Sequence, residues 1–144
     1  MRYRLNLEQM ESRWIAHVVD LLGCYAEEDT REAAIAGVPQ AIADHRAWLR
    51  AHGEEALDEP IETQVDEVIR EWFSAPDNSV HAFFNSDRAP LARHETADAL
   101  LLLDWNRADL LASINGLRPD ELAYEVEMGW SINSILLHIG GSEW

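Results

Sequence analysis

Residues 3 to 48 constrain this chain most, because three short apolar runs lead straight into a helical pattern. Tyr3, Leu5 and Leu7 alternate with Arg4, Asn6 and Glu8, the period-2 signature of a half-buried strand. Arg13 to Val19 is a second run, rich in Ile, Val and Trp. Leu22 to Glu28 is a third, after the turn-prone Asp20 and around Gly23. Asp29-Thr30-Arg31-Glu32 then opens a helix. Asp29 can accept from a first-turn N–H, and Glu32 can reach back, as in a capping box. Three strands and a helix leave one sheet edge open. The remainder of the chain is what closes or extends that unit.

The helix carries a defect. Ile35, Val38, Ile42 and Leu49 keep helical spacing, but Gly37 and Pro39 fall among them. A proline lacks the N–H and its ring clashes with the preceding turn, so a kink is expected, or a second helix restarting at Pro39. His45 sits on the apolar stripe as a core-edge histidine, and Gly53 supplies a left-handed cap. Next, Ile61, Thr63 and Val65 alternate like a strand, while Val65, Val68, Ile69 and Trp72 are spaced like a helix. A strand from Glu62 to Trp72 is preferred, because the open sheet needs one. Ser74 to Asn78 is a turn signal, and Val80 to Phe84 is β-prone enough to pair with the preceding run. Residues 85–90 break the chain.

From Leu91 the period becomes 3.6. Leu100, Leu103, Leu110, Leu111 and Ile114 make one face, Arg107 falls inside it with a snorkelling stem, and Gly116 caps the end. Pro119 to Leu122 starts a short turn or helix. A final helix begins near Ser131, with Ile132, Ile135, Leu136 and Ile139 as its buried side. The fold class expected is α+β. Residues 1–88 form a sheet-and-helix domain, and residues 91–144 form a helical hairpin whose apolar face packs on the sheet or on a second chain.

Charge narrows the function. Eleven Lys and Arg against 27 Asp and Glu give a net charge of −16, a surface that repels phosphate backbones. Nucleic acid is therefore not an expected partner. No run of about 18 apolar residues occurs, so no membrane span is expected. The opening residues enter a strand pattern at once, without an apolar signal core. Cys24 is the one cysteine and reads as a small buried thiol, which suits a reducing cytoplasm. Hydrophobic residues at 47%, six Trp among them, are enough for a sizeable core. Asp20, Glu28 and Asp66 are the carboxylates that could imitate a ribonuclease-H acidic centre, though nothing in the sequence fixes their separation.

Tyr3-Arg4-Leu5, then Trp14 through Cys24, then Asp29-Thr30-Arg31-Glu32-Ala33 resemble the HicB antitoxin-like family over about the first 53 residues. The resemblance implies a truncated ribonuclease-H-like β-β-β-α-β unit. It also implies a partner, a small basic toxin ribonuclease. Ala99 to Leu117, followed by Gly129-Trp130-Ser131-Ile132 through Leu137-His138-Ile139, resembles the first half of a DinB-like four-helix bundle. That resemblance implies a metal-dependent transferase or isomerase, with His138 as the first of three ligands to zinc, nickel or iron. His94, at the start of the preceding helix, is the second candidate ligand. No catalytic residue and no other cofactor-binding residue stands out. The expected function is a cytoplasmic, non-enzymatic binding or assembly module, homodimeric through its hairpin. The alternatives are the DinB-like enzyme, completed by dimerisation or by a longer chain, and the antitoxin.

Overall fold

The computed structural model describes residues 1–55, 59–70, 74–75, 78–79, 81–125 and 129–142. The architecture is α+β. Strand β1 (Arg2–Met10) turns through Glu11 and Ser12 into the antiparallel β2 (Arg13–Val18). Strand β3 (Tyr25–Glu28) returns antiparallel to β2. Helix α1 (Arg31–Ala51) then crosses over, and β4 (Glu62–Arg70) pairs parallel with β1. The sheet order is β3-β2-β1-β4. The edge left open by the first three strands is thus closed by β4, as the alternation at Ile61, Thr63 and Val65 suggested. Trp72 lies outside the described residues.

One face of the sheet makes the core. Tyr3, Leu5 and Leu7 from β1 and Trp14, Ala16 and Val18 from β2 pack with Ala34, Val38 and Ile42 of α1. Ile61 and Val65 extend that cluster from the β4 side. At the end of α1, the buried Arg46 donates to the Tyr3 hydroxyl at 2.7 Å and to the Glu59 carbonyl at 3.0 Å. Of the tryptophans whose side chains are described, only Trp14 belongs to the core, and Trp130 is 58% exposed.

Local details differ from the sequence expectation by small shifts. Thr30, not Asp29, caps α1 by accepting from the Ala33 N–H at 3.2 Å, which puts Ala33 where a capping-box glutamate would stand. Asp29 instead pairs with Arg13. The third strand starts at Tyr25 rather than Leu22, because Gly23 at φ +78° and the Cys24 N–H to Leu21 carbonyl bond extend the turn. Helix α1 runs unbroken through Pro39, so no second helix restarts there. Val38 and Ile42 on either side of Pro39 are fully buried while Pro39 itself is exposed, and tertiary packing outweighs the local defect. Gly53 at φ +89° does end the helix, with the Glu54 and Gly53 N–H groups bonding back to Leu49 and Arg50.

After β4 a two-stranded hairpin, β5 (Ser74–Ala75) with β6 (Asn78–Ser79), occupies the expected turn. Val80 lies outside the described residues. Residues 81–84 form no strand; they run irregularly into a 3-10 turn at Asn85–Arg88. Helices α2 (Arg93–Ser113), α3 (Pro119–Ala123) and α4 (Ile132–Ser142) complete the described chain. The chain divides into two compact units, Met1–Ala99 and Leu100–Trp144.

Two outcomes follow from α1 and its surroundings. Pro39→Ala restores a helical N–H at an exposed interior position, so it stabilises the fold by as much as about 3 kcal/mol in denaturant titration. A decrease would mean that the proline holds α1 in a bend the core requires. Cys24 is free and 5% exposed, and burial pushes its thiol up to about 11. The folded protein therefore resists alkylation near pH 8 and reacts at the single thiol once denatured.

Candidate functional site

The second face of the sheet holds the one group among the described residues that could bind a metal ion: Glu8, His17 and His81. Pleating puts Asn6 and Glu8 on the face opposite Leu5 and Leu7. The two-residue turn sets the register. Asn6 faces His17 and Glu8 faces Ile15, so Glu8 and His17 are diagonal neighbours on one face. The segment from His81 to Arg88 lies over that face. Ala82 and Phe84 are buried there, and Asn6 donates to the Ser86 hydroxyl at 3.0 Å. Glu67 of β4 accepts from the Asn85 backbone at 2.8 Å and from its side-chain amide at 3.0 Å.

Glu8 is 1% exposed, yet its carboxylate is fully engaged. Oε1 lies 2.7 Å from Nε2 of His17 and 2.6 Å from Nδ1 of His81, and Oε2 accepts from the Ala82 N–H at 2.6 Å. Phe84 and Tyr25 flank the His17 ring, with centroids at 5.9 and 6.2 Å. Burial alone would raise the Glu8 pKa. The Ala82 amide and the two imidazoles outweigh it, and the group titrates below its ordinary 4.5. The side chain of His81 is 63% exposed and that of His17 31%, so the group has a buried oxygen floor and a solvent-facing rim of nitrogens.

The sequence-selected histidines stand elsewhere. His94 is exposed in the first turn of α2, in the first compact unit. His138 is exposed on α4 in the second, its ring edge-on to Trp130 at 5.1 Å. It lines an open hollow of about 360 Å³ with Glu125, Gly129, Trp130, Ser134 and Leu137. Glu125 is the one other potential ligand among these, and no group of three ligand atoms forms there among the described residues. Asp20, Glu28 and Asp66 form no cluster either. Asp20 is held by the Arg4 backbone N–H at 2.8 Å and by its guanidinium at 2.7 and 3.0 Å.

Glu8 and His17 were open to detection in the sequence. Both occupy the polar phase of adjacent runs, and any two-residue turn at Glu11-Ser12 sets them diagonal. His81 was not, because it arrives through an irregular segment. Compared with protein families, with curated proteins and with solved structures, the chain matches none.

The carboxylate gives a pH signature whose sign is fixed. A carboxyl with a depressed folded pKa stabilises the fold above its ordinary value, and that contribution is lost as pH falls through the folded value. Glu8→Gln therefore lowers stability by about 1–3 kcal/mol near neutral pH. The gap to wild type narrows as pH drops from about 5 towards 3. Denaturant titrations of both proteins across that range check it; a gap independent of pH rules out the charged form as the stabilising one.

Proposed function

We propose that the chain is a non-enzymatic binding or assembly module, cytoplasmic and homodimeric through the helices of its second half. One observation carries this reading: α2, α3 and α4 bury none of their side chains. Leu100 is 58% exposed, Leu103 50% and Leu111 54%, where the sequence pattern called for a buried face, and Leu110, Ile114, Ile132 and Leu136 are only half-buried. Ile135 and Ile139, expected on the buried side of the last helix, are 41% and 37% exposed. Arg107, expected to snorkel from an apolar face, is about half exposed and pairs with Asp104 at 3.1 Å. An apolar surface of this extent marks an interaction site.

A second copy is the partner that the apolar faces favour and that the charge distribution permits. Two chains of −16 repel, but residues 130–142 carry no carboxylate and no guanidinium. Copies meeting along α4 keep their charges off the contact, and an isologous contact needs only self-complementary apolar faces. The order β-β-β-α-β, with β4 parallel to β1, supports the HicB-like reading of the first unit. That reading adds a small basic protein as a second partner, which an acidic surface would attract. The same charge argues against nucleic acid. A DinB-like enzyme would assemble its ligands around His138, where the described residues supply Glu125 alone.

Light scattering at micromolar concentration is expected to give twice the chain mass of 16.4 kDa. Leu103→Asp combined with Ile135→Asp should return a monomer whose β-sheet signal is unchanged. Added salt should tighten the wild-type dimer by screening like charges. A strict monomer at every concentration and salt removes the proposal.

A further inference from the structure

We infer that Glu8, His17 and His81 bind one divalent first-row transition cation, of which zinc is the simplest probe, and that the ion crosslinks β1, β2 and the segment after β6. The donor set is the first argument. Two imidazoles and one carboxylate are a recurrent three-ligand set for zinc, and they leave one or more positions for water. The three elements already bring one ligand atom from each of Glu8, His17 and His81 within 4.8 Å of one another.

Distances decide whether an ion fits. Zinc lies about 2.0–2.2 Å from nitrogen and oxygen ligands, so neighbouring ligand atoms of a tetrahedral site stand about 3.3–3.6 Å apart. The present separations from Glu8 Oε1, 2.7 and 2.6 Å, are those of hydrogen bonds. Opening them by about 0.6–1.0 Å admits the ion in place of the two bridging protons. The His81 side chain is mostly exposed and that of His17 partly so, while Glu8 is held by the Ala82 N–H on its other oxygen. A ligating carboxylate fixed in this way by an outer hydrogen bond is the usual support of a metal site.

Two further observations point the same way. Asn6, opposite His17 on the same face, is 2% exposed, and its Oδ1 has no hydrogen-bond partner among the described residues. An orphaned buried acceptor beside the group suits a donor such as metal-bound water. The net charge of −16 also concentrates cations around the chain.

The test uses tag-free full-length protein, zinc titration against a competing chelator dye, and cobalt(II) as a coloured stand-in. Wild type is expected to bind one zinc per chain, with a melting temperature that rises with zinc concentration. His94→Ala/His138→Ala should bind as wild type does. His81→Ala, whose side chain is mostly in solvent, should bind at least about tenfold more weakly and lose the cobalt spectrum. Should that variant fold poorly, imidazole resonances of wild type decide: zinc must shift those of His17 and His81 and no others. Equal binding by wild type and a folded His81→Ala overturns the inference. So does binding that follows His138, or no saturable binding at all.

Discussion

A carboxylate buried in the middle of a sheet cannot be left alone. Glu8 sits on β1, one of the two inner strands of the sheet, with α1 covering the opposite face. An unpaired charge there would cost several kcal/mol in desolvation. Its oxygens accept instead from two imidazoles and one backbone amide. Two of those three donors belong to His81 and Ala82. The carboxylate therefore specifies where the chain after β6 must lie, and Phe84 and Ser86 follow onto the sheet. Remove the charge, and nothing polar on that face of β1 except Asn6 selects this path.

The first unit was legible where local rules and tertiary packing agree. Alternation at Tyr3, Leu5 and Leu7 gave the core face of β1, and the apolar run from Arg13 to Val19 gave β2 as a strand, of which Trp14, Ala16 and Val18 face the core. Ambiguity arose at β4, and the register explains it. The ladder shifts between Leu5 and Asn6, so Leu5 faces Val65 but Asn6 faces Glu67. Asp66 is the extra residue. A bulge changes the face on which the following side chains point. Val65 and Val68 thus both stand opposite core residues, Leu5 and Leu7, although they are three positions apart. A spacing of three inside a strand imitates a helix. The same bulge carries Glu67 to the second face, where it binds Asn85.

The second half was less legible for a different reason. Periodicity reports that a helix has an apolar face; it does not report what covers that face. Leu100, Leu103 and Leu111 kept helical spacing as expected, and all three remain at least half exposed. Capping, by contrast, is local, and it was readable. Gly116 takes φ +89° after α2, Pro119 opens α3 at its first position, and Ser131 accepts the Ser134 N–H at the start of α4. Where a feature depends on neighbours within four residues the sequence exposes it. Where it depends on a partner surface it does not.

Charge and apolar surface divide this chain between two tasks. The carboxylates that give −16 mostly face solvent, yet the one at Glu8 is turned inward and satisfied by histidines rather than arginine. Arginine would have made a permanent ion pair. At the other extreme, α4 carries no ionic group beyond the titratable His138, and its leucine and isoleucine faces are open. Repulsion between exposed charges fades over about 10 Å at moderate salt. In the proposed dimer, a contact along α4 would set no carboxylate of that helix against its copy. The polar lock in the first unit and the neutral helix in the second answer one constraint: an acidic chain must hide or distance its charge wherever it packs.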